Sequence, residues 1–296
     1  MRNRRALFQL LWLIPLVLHS SNVLAWGLVT HVYFSQLLIW TMPLADPALW
    51  RAARRFPRLV MAGACLPDLL LMDETAFRHS HQWSTVQQLL DAAVKDEEKA
   101  IALGYASHLL ADVVAHNHFV PAHEAHWLDR PLLTHIVAEW AMDGHIRHHV
   151  KEKPGALLSA GRGTLAPFVA KGFACSEKTA AKALGRLAAG ETLLRRSGLP
   201  NALYGASGLI DRQVDAHFGY YLGQTQAYLA GNIDDLLAGK APLWSAEPAW
   251  SGETWKLIQA HCRSHLLARL HLPLHFFHQD PGQIDIILAS AASPAG

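Results

Sequence analysis

The chain has 296 residues, of which 51% are hydrophobic and 17% are charged, a balance that excludes a disordered chain. Its formal net charge of +2 at pH 7 excludes the strongly basic surface that nucleic-acid binding usually needs. This length suffices for a substantial core in one large domain or two smaller ones. Histidine is the unusual component, with 19 residues.

The first 25 residues have the pattern of a secretory signal peptide. MRNRR is basic, ALFQLLWLIPLVL is apolar, and small residues follow at Val23 and Ala25. The apolar run is shorter than the roughly 20 residues that a membrane-spanning helix needs. We therefore expect cleavage after Ala25, a secreted or periplasmic location, and a mature chain that begins at Trp26, with an uncleaved anchor as the alternative. That mature chain loses three arginines and no acidic residue, so it is nearly neutral.

Apolar residues recur at helical spacing through most of the remaining sequence, and alternating strand patterns with hairpin turns are absent. Prolines and glycines mark the boundaries between the periodic stretches. The pattern predicts a single all-α, multi-helix domain over residues 26–296. Its predicted helical segments are 32–40, 48–61, 85–115, 132–150, 176–196, 201–237 and 254–270.

Histidines are concentrated in the first half of this domain. Twelve of them lie between residues 26 and 150, whereas six lie in the second half. The stretch HLLADVVAHNH carries His108, Asp112 and His116 at intervals of four, so their side chains share one face of a helix. A polar stripe on an otherwise apolar helix indicates either core histidines bound to carbonyl groups or a metal site.

A second pair at the same spacing, His135 and Glu139, lies in THIVAEWAMD. Neutral imidazole and carboxylate are ligands that zinc takes at about 2.0–2.2 Å, and two adjacent helices could aim four such groups into one cavity. An isolated pair of this kind is more often a local hydrogen bond than a metal site. His123 has no assigned partner, and we expect it on the surface.

Three earlier stretches add residues of the same types. WGLVTH contains Trp26 and His31, GACLPD contains Asp68, and FRHSHQW contains His79 and His81. Each match alone is weak, because short motifs often occur by accident. The ordered set is more informative than any of its parts.

In this order, the residues resemble the zinc-dependent phospholipase C family and the related catalytic domain of glycosylphosphatidylinositol-specific phospholipase D. The resemblance runs from Trp26 to about Val150. It implies an all-helical fold of the tri-zinc phospholipase C and single-strand nuclease type, with three zinc ions per chain. Mature bacterial phospholipases of this family begin with a Trp whose amine and carbonyl bind one zinc, so cleavage before Trp26 would create a ligand.

The resemblance also implies the other ligands. Asp112 would bridge two ions, and His108 would bind one of those two. The next histidine would reach a third ion. Asp68 would be both a ligand and the general base in catalysis. The full implied set is Trp26, His31, Asp68, His81, His108, Asp112, either His116 or His118, His135 and Glu139.

Two positions in this set have alternatives. His81 is followed two residues later by Trp83, as in some bacterial phospholipases, so we prefer it to His79. After Asp112, the phospholipase C pattern points to His118 and the phospholipase D-type pattern to His116. Helix geometry favours His116, because position 118 has rotated roughly 120° away from Asp112 at 100° per residue.

The implied function is hydrolysis of a phospholipid headgroup by metal-activated water, at a membrane surface, with no specific nucleic acid as partner. Phospholipase D-type cleavage is an alternative, because the two relatives share this ligand skeleton. A tri-zinc single-strand nuclease is another, although its last pair is usually HxxxD and here Glu139 gives HxxxE. A third alternative is a helical protein that binds metal without turnover. The sequence leaves the headgroup and the oligomeric state open.

Overall fold

The computed structural model describes residues 26–127, 131–246 and Lys256. These residues form helices and connecting loops without any strand, which confirms the all-α prediction. None of the helices within these ranges has the length and hydrophobicity needed to cross a membrane. The expected signal peptide, residues 1–25, lies outside the described residues, and so does the predicted segment 254–270 apart from Lys256.

The α-helices are labelled in chain order. They are α1 (Leu28–Thr41), α2 (Pro47–Arg55), α3 (Pro57–Gly63), α4 (Glu74–Phe77), α5 (Trp83–Ala92), α6 (Asp96–Val114), α7 (Val120–His126), α8 (Pro131–Ile146), α9 (Pro154–Gly172), α10 (Glu177–Ser197), α11 (Leu199–Ile210) and α12 (Val214–Leu237). A 3₁₀ helix, Pro67–Leu71, follows α3, and a π-helix, Ala115–Phe119, joins α6 to α7.

Three segments predicted as continuous helices are each divided in two. Pro57 separates α2 from α3, because proline disfavours helical geometry in the residue before it and suits a first helical turn. Glu98 separates α5 from α6, because its side chain accepts hydrogen bonds from the backbone of Val94 and Lys95 and so caps α6. Asp211 separates α11 from α12 by accepting a hydrogen bond from the Gln213 amide.

Three α-helices, α4, α7 and α9, were not predicted, and α9 is the longest of them. It begins at Pro154 and contains Gly161, Gly163 and Pro167, residues of low intrinsic helix propensity that obscure the apolar periodicity. The helix is stabilised by packing against α10, which shows that tertiary contacts outweigh propensity here.

Helix α6 forms the centre of the fold. Every residue of α6 from Ala100 to Val114 is buried, and α1, α2, α3, α5 and α12 pack around it. The stripe of His108 and Asp112 therefore faces the protein interior rather than solvent. Polar groups in such a position must find partners or ligands there, because burying them unsatisfied is costly.

Two glycines allow α3 to cross α6 at close range. A Cβ atom at Gly104 would lie 1.9 Å from the carbonyl oxygen of Val60, and one at Gly63 would lie 2.2 Å from the carbonyl oxygen of Ile101. Only glycine fits both positions without moving the helices apart. The close crossing brings the end of α3, and the Asp68 that follows it, up against the His108 face of α6.

We expect Gly104→Ala to lower the free energy of unfolding by about 1–3 kcal/mol, because the added methyl group must displace backbone atoms. Urea denaturation measures the effect. Gly163→Ala is the matched control, since it lies on exposed helix with no atom within 4 Å of an added Cβ. That variant should gain roughly 0.5–1 kcal/mol from helix propensity. Equal effects at the two positions would contradict the close crossing.

Candidate metal centre

Six separate elements bring the candidate ligands together. Trp26 lies just before α1 and His31 lies in its first turns, Asp68 comes from the 3₁₀ helix, and His81 comes from the residues before α5. Helix α6 supplies His108 and Asp112, the π-helix supplies His116, and α8 supplies His135 and Glu139. All of these side chains are buried except that of His135, which is 18% exposed.

Asp112 lies at the centre of the cluster. Its Oδ1 is 3.3 Å from His31 Nε2, and its Oδ2 is 2.9 Å from His108 Nε2 and 3.5 Å from His81 Nε2. His31, His108 and Asp112 each offer a ligand atom within 4.8 Å of the others. The rings of His31 and His108 stack with centroids 3.5 Å apart.

Asp68 joins a second compact group. With His81 and His108 it again offers three ligand atoms within 4.8 Å of one another. Its Oδ1 lies 3.9 Å from His108 Nε2 and 4.0 Å from His81 Nε2. His108 belongs to both groups, and Asp112 touches both, so the two groups form one continuous cluster.

His79, the alternative to His81, lies apart from this cluster. It is exposed, and its Nε2 accepts a hydrogen bond from the neighbouring Arg78. His81 is buried, with its ring tilted against that of His108 at a centroid distance of 5.4 Å. The geometry therefore favours His81 over His79.

A third group of candidate ligands lies next to these two and consists of His116, His135 and Glu139. The rings of His116 and His135 lie 5.4 Å apart, and His135 Nε2 is 2.7 Å from Glu139 Oε1. The ring of His118 instead lies beside Trp244, at a centroid distance of 6.0 Å. The geometry therefore favours His116 over His118.

The wide turn of the π-helix presents these histidines. All five residues of Ala115–Phe119 are buried, and the Asn117 side chain donates hydrogen bonds to the carbonyls of Val113 and Ser245. Such single π turns are rare and occur frequently at functional sites.

Burial keeps the imidazoles neutral. It is the largest cause that lowers the pKa of His31, His81, His108 and His116 below the ordinary value, and neighbouring imidazoles lower the pKa of His31, His81 and His116 further. His108 Nδ1 lies 2.8 Å from the Ala64 carbonyl oxygen and donates a hydrogen bond to it, which leaves Nε2 directed at Asp112. Neutral imidazole, oriented by a hydrogen bond from its other nitrogen, is the form that binds metal ions.

The pKa values of two buried carboxyl groups are raised, whereas those of the imidazoles are lowered. Burial raises the pKa of Asp68 to about 7, although His108 partly opposes the effect. Burial likewise raises the pKa of Glu139 to about 7, against the lowering influence of His135. In the absence of a cation, both groups therefore titrate near neutral pH.

The donor set fits a metal ion. Both ring nitrogens of His116, the Nε2 of His108 and the Oδ1 of Asp68 are buried without a hydrogen-bond partner, an unusual density of unsatisfied polar atoms. Imidazole nitrogens and carboxylate oxygens are the ligand types that zinc prefers outside thiolate sites. A cation at this position would satisfy these atoms.

Trp26 is fixed beside the cluster. Its indole Nε1 donates a hydrogen bond to the Ala111 carbonyl on α6, 3.1 Å away, and its ring packs on Phe119 at a centroid distance of 4.2 Å. The backbone of Trp26 also raises the pKa of His31 slightly against the effect of burial, so it lies close to that ring.

Sequence reasoning missed a polar network beside the ligands. Asp143 on α8 is fully buried and accepts a hydrogen bond from Arg195 Nη2 at 2.7 Å, and Arg195 Nε lies 2.8 Å from Glu191. One signal was available, because Asp143 continues the four-residue spacing of His135 and Glu139. The expectation for His123 was wrong, since it is fully buried with its Nδ1 2.7 Å from the Phe119 carbonyl.

A cleft opens onto the cluster. Asp68 and Glu139 reach its lining, and Glu191 and Arg195 of α10 line it as well. Most of the remaining wall is apolar and consists of Trp26, Leu28, Leu71, Met72, Trp140, Leu187, Leu193 and Leu194. The second half of the chain therefore contributes directly to the surroundings of the candidate metal centre.

Comparison with known proteins agrees with this geometry. The sequence model of the zinc-dependent phospholipase C family matches residues 30–175, a segment that begins at Thr30 and contains all the candidate ligands except Trp26. No curated protein matches the chain. No solved structure matches it either. Over the matched segment, this chain belongs to the zinc-dependent phospholipase C family.

Proposed function

We propose that this protein is a zinc-dependent phosphodiesterase that cleaves phospholipids on the glycerol side of the phosphate, as a phospholipase C does. The observation that carries the proposal is the buried cluster of imidazoles and carboxylates, within the family segment, beside a cleft with an apolar wall. Phospholipase D-type cleavage is the nearest alternative.

Three zinc ions per chain would be held by neighbouring groups of ligands. His31 and Asp112 would serve one, together with the backbone of Trp26 at a processed N-terminus. Asp68, His81 and His108 would serve a second ion, and the remaining group, His116, His135 and Glu139, a third. When bound, zinc lowers the pKa of water toward neutrality and offsets the charge of a phosphate group.

Asp68 is suited to accept a proton during hydrolysis. Its carboxyl group reaches the lining of the cleft, and its Oδ1 has no hydrogen-bond partner. A pKa near 7 in the metal-free site matches the requirement that a general base titrate close to the working pH. Loss of this carboxylate should therefore affect the chemical step as well as zinc binding.

The apolar wall of the cleft favours a lipid over a polynucleotide. Leucine, methionine and tryptophan side chains can contact the glycerol and acyl portions of a phospholipid at a membrane surface. A nearly neutral mature chain provides little of the positive charge that a single-stranded polyanion would need. We also propose a secreted or periplasmic location, in keeping with the signal-like residues 1–25.

Activity is tested with purified, zinc-loaded protein and vesicles of phosphatidylcholine or phosphatidylinositol, with products identified by mass spectrometry. Release of diacylglycerol and a phosphorylated headgroup is the expected result. His81→Ala should lower kcat/KM by at least about 100-fold, since even outer partners of metal ligands typically contribute 10–100-fold. His79→Ala, an exposed histidine two residues away, is the matched control and should retain activity.

Other outcomes would select the alternatives. Phosphatidic acid as the product would indicate phospholipase D-type cleavage. Faster release of nucleotides from single-stranded DNA than of lipid products would identify a nuclease. Bound zinc without hydrolysis of either substrate would identify a metal-binding protein that is not an enzyme.

Zinc affinity should fall as the pH is lowered from about 8 to about 6. Asp68 and Glu139 have pKa values of about 7 in the metal-free site, so below that pH a proton must leave before either binds zinc. Each carboxyl should contribute about tenfold over this range. Four of the histidines should add little, because burial lowers their pKa values and keeps them neutral; they are His31, His81, His108 and His116. Chelator competition measures the affinity, and a value independent of pH would contradict these shifts.

The proposed cleavage after Ala25 can be tested through zinc content. Protein that begins at Trp26 should hold more zinc than protein with one extra residue before Trp26, because only the former offers a free amine there. Elemental analysis with an N-terminus confirmed by mass gives the comparison. Proteolytic removal of the extra residue should restore the zinc content and abolish the difference. Equal zinc content in the two forms before that treatment would exclude the terminal amine as a ligand.

A further inference from the structure

We propose that Asp143 is a positioning residue, which holds the backbone next to Trp26 in place so that the start of α1 faces the metal centre. The inference rests on the proposed function, because it concerns the same zinc site. It assigns a role to a buried carboxylate that is outside the ligand set and that no motif identified.

Asp143 provides the N-terminal cap that α1 lacks in its own sequence. Gly27, which precedes α1, has no side chain to bind the first amides of the helix. Asp143 Oδ1 accepts hydrogen bonds from the Thr30 amide at 2.9 Å and from Thr30 Oγ1 at 2.7 Å. Its Oδ2 accepts a longer bond from the Val29 amide at 3.4 Å. These are the second and third amides of the helix, the pair that a capping side chain normally binds.

The contact leaves no room for a side chain at position 27. A Cβ atom at Gly27 would lie 2.2 Å from Asp143 Oδ2 and 2.4 Å from Cγ. The backbone between Trp26 and α1 therefore rests directly on the carboxylate. This close approach fixes both Trp26, on one side of Gly27, and His31, one turn into α1.

Arg195 on α10 balances the charge of the Asp143 carboxylate. Arg195 Nη2 donates to Asp143 Oδ2 at 2.7 Å, and the Asp143 side chain is fully buried. Arg195 Nε also lies 2.8 Å from Glu191 Oε1, and burial raises the pKa of Glu191 to about 8. A buried pair with these additional hydrogen bonds is strongly weakened when one member is lost.

The position of Asp143 on α8 connects this anchor with the ligands. Glu139 lies one turn before Asp143, and His135 lies one turn before Glu139, so the three side chains share a face of the helix. One rigid helix therefore carries two candidate ligands and the group that fixes the start of α1. The Asp143 contact therefore links the ligands on α1 to those on α8, two helices that also pack against each other.

The test compares Asp143→Asn with Asp46→Asn, using zinc itself as the probe. Asp46 also caps a helix, since it accepts hydrogen bonds from Ala48 and Leu49 at the start of α2, but it is exposed and absent from the metal cluster. Asp143→Asn should lower zinc affinity by about 10–100-fold in chelator competition, the usual loss for an outer partner at a metal site. Asp46→Asn should leave it unchanged.

Thermal unfolding separates positioning from a purely structural role. Zinc that binds the folded state raises Tm, and the rise measures affinity. If Asp143 positions ligands, Asp143→Asn should reduce the difference in Tm between zinc-loaded and metal-free protein. An equal fall of Tm in both forms, with the difference preserved, would overturn the inference.

A second variant provides the same test if Asp143→Asn fails to fold. Gly27→Ala keeps the carboxylate but pushes the backbone away from it, and should also weaken zinc binding, whereas Gly163→Ala on exposed α9 should not. Wild-type protein that binds no zinc would overturn the proposed function, and this inference with it. Wild-type protein that binds zinc, with undiminished affinity in both site variants, would overturn this inference alone.

Discussion

Burial of the Asp112 carboxylate among neutral imidazoles is the constraint on which the rest of the site depends. His31, His81 and His108 each approach it within 3.5 Å, yet burial lowers their pKa values, so they supply lone pairs rather than positive charge. A carboxylate in the interior is costly unless a cation compensates it. The donors that converge here therefore gain most from a divalent ion, which accepts lone pairs and balances charge at once.

The fold class followed directly from the periodicity of apolar residues. Helices α1, α8 and α10 overlap their predicted segments, because apolar residues recur along each of them and no proline lies beyond the first residue of any. Division of the longer segments depended on local hydrogen bonds and prolines, as at Glu98 and Pro57, which apolar periodicity does not register. Helix α9 was not predicted for a related reason, since packing against α10 stabilises it more than its own helix propensity does.

The candidate site was accessible from sequence where its residues share a helix. His108 with Asp112, and His135 with Glu139, were visible from their spacing alone. Their meeting with Asp68 and His81 required the family resemblance, since nothing in the spacing joins a 3₁₀ helix to α6. The four-residue spacing of His135 and Glu139 extends to Asp143, but the contacts of Asp143 with α1 and Arg195 could not be predicted. They join residues more distant in sequence than any local motif spans. The π-helix was also unpredicted, and it is the feature that aims His116.

The close crossing of α3 and α6 has a consequence for how genetic variation in this protein should be interpreted. Gly63 and Gly104 have no side chain with which to bind a metal ion, yet the close packing at these two positions determines where α3 ends. The Ala64 carbonyl that orients His108 follows immediately, and Asp68 comes four residues later. A side chain at either glycine would misplace a ligand and its orienting group together. In a survey of loss-of-function alleles, substitutions at these two glycines should therefore appear together with substitutions at the ligands, although the glycines act only by letting two helices pack closely.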